Sequence, residues 1–343
     1  MEKRGIKLAL TYCGAIIGAG FATGQEVVQF FSVFKLEGIL GGGIATAMFI
    51  FFAYVILDIV LNEKISDHKD LINVIVGKKG AIAFDFIIMF FLFSGFTIMI
   101  SAAVTLLTTY IITSKTIAVI VFLIMINLIF YTGMEGVIKA NSILVPILVI
   151  FIIFLSLRAI FITAPTIGMG GLVPQNAFIA ATSYVSYNLI IGMVVLSSFK
   201  KEIYNKKDIF VISVVGGGIL GTMLMLVIVA TKDISNYSQI PIMDLAYGLN
   251  QLLFNGLVLS LLIAILTSAI ATGHGIINRV KGIKNWSYSS IGLVLSITAT
   301  PLSFIGFEEL VKSIYPFFGF INYIIMLALI YHFVKRKIIT TYW

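Results

Sequence analysis

The chain has 343 residues, of which 60% are hydrophobic and only 11% are charged. Apolar runs of about 20 residues, each long enough to cross a bilayer as a helix, recur along the whole chain. This composition excludes a water-soluble protein and predicts an all-α integral membrane protein with a single transmembrane domain, residues 1–343.

Ten membrane-spanning helices are predicted in chain order. Their approximate bounds are 7–34, 38–61, 80–111, 116–132, 141–163, 176–199, 208–231, 244–277, 287–305 and 311–333. The segment 236–250, which contains Pro241, is a candidate short surface helix leading into the eighth span.

The distribution of basic residues predicts the orientation of these spans. If both termini are cytoplasmic, eighteen of the 23 lysines and arginines fall in cytoplasmic segments. This is the positive-inside bias of membrane proteins. We therefore expect a multi-pass protein of the bacterial cytoplasmic membrane, and the net charge of +8 reflects topology rather than binding to nucleic acid.

The first span contains the run GAIIGAGFATGQE over residues 14–26. Each glycine costs about 1 kcal/mol relative to alanine in a helix interior, so its four glycines disfavour a continuous helix. Backbone groups freed inside a bilayer must be satisfied by protein or must line a cavity. We predict a discontinuous helix around a binding site. The alternative, close packing of small residues, leaves Thr23, Gln25 and Glu26 unexplained.

The two halves of the chain show a repeat. Adding the offset between the first and sixth spans to the starts of spans two to five gives approximately the starts of spans seven to ten. A glycine triplet recurs at 41–43 and 216–218. Each half has five spans, repeat one about 7–163 and repeat two about 176–333, so the second enters the membrane inverted. Such inverted repeats are typical of secondary transporters.

The repeat predicts that the sixth span is broken like the first. Residues 181–192 read ATSYVSYNLIIG, a polar stretch in the middle of an apolar span. The alternative is a continuous helix whose polar face bonds to its neighbours.

The eighth span suggests a cation site. Its spacing Ala264-x-x-Thr-Ser268, together with Gly14-x-x-Ile17 before the first break, resembles the second sodium site of transporters with the LeuT fold. This resemblance implies that Na⁺ is the coupling ion. The ligands that it implies are the carbonyls of Gly14, Ile17 and Ala264 and the hydroxyls of Thr267 and Ser268.

The motif GAGFATGQE over 18–26 also resembles the YkvI-like membrane proteins of the amino acid–polyamine–organocation superfamily. The resemblance covers essentially the whole chain and implies the LeuT-type fold and a role in solute transport. In that fold the half-helix after the first break points its N-terminus at a substrate carboxylate, and the candidate donors here are the amides of Ala22, Thr23 and Gly24 with the Thr23 hydroxyl.

Glu26 has three open roles. It could pair with a substrate ammonium, carry a coupling proton, or stabilise the N-terminus of its own helix. The third span adds Ser94, Thr97 and Ser101 on one helix face. The full set of candidate solute-binding residues is Gly18, Ala19, Gly20, Phe21, Ala22, Thr23, Gly24, Gln25, Glu26, Ser94, Thr97, Ser183, Tyr184, Ser186, Tyr187 and Asn188.

We therefore expect a cation-coupled symporter for a small solute, most simply an amino acid or related amine, that works by alternating access without a cofactor. The alternatives are proton coupling through Glu26, a solute-sensing receptor that does not transport, and a channel. Motifs for ATP hydrolysis and for enzymatic active sites are missing from the sequence. The Asp-Pro-Gly and Met-Pro breaks expected of metal-ion carriers with this fold are missing as well.

Overall fold

The computed structural model describes residues 2–63, 65, 68–132, 149–161, 174–234, 237–246, 248–281 and 286–342. The α-helices within these ranges are α1 Glu2–Ile16, α2 Ala19–Ala22, α3 Gln25–Phe30, α4 Leu36–Asn62, α5 His68–Tyr110, α6 Lys115–Thr132, α7 Val149–Phe161, α8 Pro174–Ser198, α9 Lys206–Thr231, α10 Pro241–Asp244, α11 Gln251–Lys281, α12 Tyr288–Ser303 and α13 Phe307–Tyr342. Short 3₁₀ turns cover Ser32–Phe34 and Phe199–Lys201.

Among the described residues, six helices are long and apolar enough to cross a membrane, namely those in α4, α5, α8, α9, α11 and α13. Two shorter apolar helices, Lys115–Tyr131 and Val149–Phe161, coincide with the predicted fourth and fifth spans. The remaining ends of the fifth span, 141–148 and 162–163, lie outside the described residues. The all-helical membrane architecture is thus present, and the count of ten spans stays a prediction.

The helices form two packing groups. In one group, α4 packs on α8 and α9, and α1 packs on the same two helices. In the other, α5, α6, α11 and α12 all contact one another. Helix α13 lies against both α8 of the first group and α5 of the second. The short α2 contacts α11, so the first span lies where the two groups meet.

The two glycine triplets make corresponding contacts. A Cβ added at Gly42 of α4 would lie 2.7 Å from Ile228 of α9, and one added at Gly217 of α9 would lie 2.9 Å from the Ile50 backbone of α4. Their neighbours Gly43 and Gly218 both face open space. An inverted repeat would place the two triplets in this way, and the repeat itself stays a prediction.

Candidate functional site

The first span is discontinuous, as predicted. Helix α1 ends at Ile16, and the Gly18 amide donates to the Ile16 carbonyl at 2.8 Å instead of to Gly14, four residues back. The Ala19 amide donates to Ser268 Oγ of α11 at 3.1 Å. The helix is therefore interrupted at residues 17–18, and a side chain from the other packing group satisfies one of the freed backbone groups.

A second interruption follows one turn later. Gly24 adopts the left-handed conformation, with φ of 80°, before α3 begins at Gln25. A side chain at this conformation is strained, which explains the glycine. The first span is therefore three pieces, in which the single turn α2 lies between two interruptions.

Local bonds occupy the donors expected to hold a substrate carboxylate. The amides of Ala22, Thr23 and Gly24 donate to the carbonyls of Gly18, Ala19 and Phe21 at 2.8–3.0 Å. The Thr23 hydroxyl donates to the Gly20 carbonyl at 3.0 Å. In this structure the expected carboxylate cradle is internally satisfied.

The sixth span is not broken, so this prediction is wrong. Helix α8 runs without interruption from Pro174 to Ser198. Its polar side chains bond to backbone and to α13 instead of marking a break. Thr182 donates to the Phe178 carbonyl at 2.9 Å, and Asn188 Nδ2 donates to the Tyr184 carbonyl at 2.9 Å.

Helix α13 supplies further partners of α8. Ser186 Oγ donates to the Gly319 carbonyl at 2.8 Å, and Asn322 Nδ2 donates to the Ser186 carbonyl. A Cβ at Gly319 would lie 2.1 Å from Ser183 Oγ, so the two helices cross at this glycine. The alternative considered for this stretch, a polar face bonded to its neighbours, is what the structure has.

Glu26 lies at the centre of the site. Its side chain is 5% exposed. The Tyr187 hydroxyl of α8 donates to Glu26 Oε2 at 2.6 Å, and the Tyr315 hydroxyl of α13 is also hydrogen-bonded to this carboxyl group. A Cβ at Gly20 would lie 1.9 Å from Glu26 Oε1. The carboxylate therefore folds back over α2, between the break and two tyrosines.

Aromatic rings enclose this carboxylate. The rings of Tyr187 and Tyr315 stack with centroids 4.8 Å apart and planes 10° apart. Phe30 lies 5.6 Å from Tyr187, and Phe91 lies 6.5 Å from it. Tyr184, predicted as a wall of the site, packs edge-on against Tyr187. Four elements, α3, α5, α8 and α13, thus contribute to one buried aromatic cluster beside Glu26.

Several buried polar atoms near these residues have no hydrogen-bond partner within the described part of the chain. They are Gln25 Oε1, Ser183 Oγ and Asn322 Oδ1. Because an unsatisfied buried polar group is costly, such atoms commonly mark a place where a ligand or water binds.

The residues of the sodium hypothesis adjoin the first interruption. Ser268 Oγ accepts a hydrogen bond from the Ala19 amide, and the Thr267 hydroxyl donates to the Ala264 carbonyl at 3.0 Å. Gly14 and Ser268 are half-buried, whereas Thr267 is buried. The structure therefore places the Ser268 hydroxyl at the break, whereas the sodium site as a whole stays a prediction.

The third-span hydroxyls have other partners. Thr97 donates to the Phe93 carbonyl of its own helix at 3.0 Å. Ser101 donates to the Ile305 carbonyl at 2.8 Å and so holds the turn between α12 and α13. Ser94 is buried in α5. The predicted stripe is present on α5, but its bonds serve packing.

The helix α10 covers one end of the break. Its Ile242 amide donates to the Thr23 carbonyl at 3.0 Å, and a Cβ at Gly24 would lie 3.1 Å from the Ile242 nitrogen. Pro241, Ile242 and Met243 are buried. This segment is therefore not the surface helix that its sequence suggested.

A separate cavity of about 240 Å³ adjoins the α10 connection. Hydroxyl and amide side chains line much of it, among them Ser101, Thr105, Thr108, Ser238, Gln239 and Ser303. The residues of the break are not part of its lining. Its lining includes Ile240, two residues before the Ile242 amide that bonds to Thr23.

Tyr315, Gly319, Asn322 and Ile242 are site residues that sequence reasoning missed. The first three are spaced four and three residues apart, which places them on one face of a helix. This spacing of two polar residues and a glycine, next to Pro316, could have indicated a site residue in the tenth span. Ile242 had none, because only its backbone takes part.

Ion pairs join the ends of several helices. Arg4 pairs with Asp208 at 3.2 Å, and Asp58 pairs with Arg336. Asp85 pairs with Arg279 of α11. Asp58 is 1% exposed, so its carboxylate is buried at its pair with Arg336.

No protein-family model matches the chain. The chain is similar to the uncharacterized protein YyaD of Bacillus subtilis (strain 168), with 26% identity over 340 residues covering 98% of each chain. It is also similar to the uncharacterized membrane protein YkvI of the same strain, with 25% identity over 325 residues covering 92% of each chain. The resemblance to YkvI thus extends over nearly the whole sequence.

Two solved structures share the fold. One is a Na⁺-coupled sialic acid symporter in a substrate-bound outward-open state, with a TM-score of 0.59, 11% identity, and coverage of 93% of this chain and 75% of that one. The other is a mutant of the Eremococcus coleocola manganese transporter, with a TM-score of 0.58, 15% identity, and coverage of 94% and 78%. The chain is a multi-pass membrane protein with the LeuT-like fold of these transporters, which agrees with the prediction that it is not an enzyme.

Proposed function

We propose that the chain is a cation-coupled secondary transporter of the bacterial cytoplasmic membrane, with ten spans and both termini cytoplasmic. It carries a small solute, an amino acid or related amine. The observation that carries the proposal is the buried Glu26 carboxylate beside a broken helix within a transporter fold. Intramembrane ionisable groups are costly and mark substrate or ion pathways.

The proposed mechanism is alternating access between the two packing groups. Helices α1, α4, α8 and α9 rock against α5, α6, α11 and α12, and the break between them holds the solute. The bond from the Ile242 amide to the Thr23 carbonyl closes the break on the α10 side, so access from that side requires α10 to move away.

Na⁺ is the proposed coupling ion and is transported together with the solute. Hard cations prefer several oxygen ligands. The Ser268 hydroxyl lies beside the interruption, and Thr267 is the residue before it in α11. At this interruption the diverted Gly18 amide leaves the Gly14 carbonyl without its usual helical donor. With the carbonyls of Ile17 and Ala264, these groups supply the oxygens.

Thermal stability of the purified protein in Na⁺ and in K⁺ tests the ion. Na⁺ at 100 times its dissociation constant should stabilise the wild type by about 2.7 kcal/mol. The double variant Thr267→Ala, Ser268→Ala should lose this stabilisation, because it removes both hydroxyls. Ser260→Ala is the matched control, since that hydroxyl bonds to the Gly256 carbonyl elsewhere in α11.

Undiminished Na⁺ stabilisation in the double variant would refute the sodium site. Counterflow of a stabilising solute in proteoliposomes then separates a transporter from a receptor, because a receptor binds without exchange.

Proton coupling through Glu26 is the second candidate. The burial of this carboxyl group and its two tyrosine partners favour it. In that case solute binding would be independent of Na⁺, would change with pH in the wild type, and would lose this pH dependence in Glu26→Gln.

A further inference from the structure

We propose that the solute bound at Glu26 is a small organic cation, recognised through its ammonium group without a contribution from a carboxylate. The inference rests on the proposed transport function and specifies the substrate class of the same site. Its basis is the balance of charges, donors and acceptors around the break.

The charge balance at the site is incomplete. Asp58 and Asp208 are as buried as Glu26, and each pairs with an arginine. Glu26 has tyrosine hydroxyls as partners and forms no salt bridge within the part of the chain that the structure describes. A carboxylate in a medium of low dielectric gains most from a cation close to it. A ligand ammonium is such a cation.

The donors that were expected to hold a substrate carboxylate are already engaged. The amides of Ala22, Thr23 and Gly24 close the turn α2, and the Ala19 amide is bonded to Ser268. A substrate carboxylate therefore has no free donor among the groups expected to bind it.

Two of the three unpartnered atoms, Gln25 Oε1 and Asn322 Oδ1, can only accept hydrogen bonds, and the third, Ser183 Oγ, can accept or donate. Gln25 is 2% exposed, and its Oε1 has no partner among the described residues. Asn322 is fully buried on the same face of α13 as Tyr315, and its Oδ1 is likewise unpartnered there. A ligand that satisfies two carbonyl oxygens and a carboxylate must donate hydrogen bonds, as an ammonium does.

The enclosing rings favour the same ligand. The Tyr187 ring, whose hydroxyl bonds to Glu26, is surrounded by the rings of Phe30, Phe91 and Tyr315. A cation over an aromatic face is stabilised further when it is desolvated. On binding, the ammonium takes over part of the hydrogen bonding that the two tyrosine hydroxyls provide to Glu26.

A series of ligands matched in size but not in charge tests this inference. The probes are propylamine, alanine, propionate and 1-propanol, with 1,4-diaminobutane and tetramethylammonium to sample larger cations. We expect at least one amine to raise the melting temperature of the full-length protein. Propionate and 1-propanol should leave it unchanged, and alanine should act more weakly than propylamine.

Two variants locate the response. Glu26→Gln keeps the shape of the side chain and should weaken binding of the stabilising amine at least tenfold. Glu309→Gln, which changes an exposed carboxylate, should bind as the wild type does. Glu26→Asp keeps the charge and should retain part of the affinity.

Stabilisation by alanine with no response to any amine would overturn the inference and leave the proposed transport function intact. Unchanged amine affinity in Glu26→Gln, or silence toward every amine, would overturn it as well. Failure of the transport function is a different result: an amine that binds through Glu26 but shows no counterflow in proteoliposomes.

Discussion

Glu26 lies in a sequence that gives few hints about its partners. Its own helix supplies the position, but the hydroxyls that bond to it come from Tyr187 and Tyr315, more than 160 residues away along the chain. Sequence reasoning identified the glutamate, because an acidic residue within an apolar span stands out. It identified Tyr187 through the repeat. It missed Tyr315, because in an aromatic-rich helix this tyrosine stands out only through its spacing to Gly319 and Asn322.

Gly20→Ala tests the position of this carboxylate. The new Cβ would lie 1.9 Å from Glu26 Oε1, so the carboxylate must leave its place between the tyrosines. We expect amine stabilisation to fall at least as far as in Glu26→Gln. Gly43→Ala is the control, because a Cβ there meets nothing within 4 Å. An unchanged ligand response in Gly20→Ala would place the binding site elsewhere.

The two spans predicted to break show which elements a sequence can specify. Glycine acts through its own backbone, so the interruption of the first span was visible in residues 14–24. The polar residues of α8 act through partners, and those partners belong to α13 and to the preceding turn of α8 itself. Because these hydrogen bonds satisfy the polar side chains, their presence does not require an interruption of the α8 backbone. Its continuity could not be read without knowing where α13 packs.

The contact between α4 and α9 gives a prediction for elements. Gly217→Ala should destabilise the protein by about 1–3 kcal/mol, because its Cβ would come within 2.9 Å of the Ile50 nitrogen and force the helices apart. Gly218→Ala, one residue on, faces open space and should be neutral or slightly stabilising. Thermal unfolding of both variants in one detergent makes the comparison. Equal effects would mean that the helices do not touch at Gly217.

At the scale of the whole molecule, the helices form two packing groups, and two of the ion pairs each join two helices of the same group. Arg4–Asp208 joins α1 to α9 within the first group, and Asp85–Arg279 joins α5 to α11 within the second. Asp58–Arg336 ties α13 to α4. With the α8 contact at Gly319, this pair connects the last helix to the first group. In the proposed transport cycle, we therefore expect α13 to move with α4 and α8.

Asp58→Asn tests that connection. Asp58 is 1% exposed and its partner Arg336 is largely buried, so losing the charge should destabilise the protein by about 1–3 kcal/mol after allowance for the exposed part of the arginine. Glu308→Gln removes one charge from the exposed pair with Lys312 and should cost less than about 0.5 kcal/mol. Equal losses in thermal unfolding would argue that Asp58–Arg336 is no more than a surface pair.

The bond between the Ile242 amide and the Thr23 carbonyl has a consequence for kinetics. A backbone amide in a connecting segment ordinarily exchanges its hydrogen with water quickly, but this one is buried and bonded to the break. Its exchange therefore requires α10 to leave the site. The rate of deuterium uptake at this single amide would therefore report how often α10 moves away from the break. The measurement needs neither an ion gradient nor a known solute.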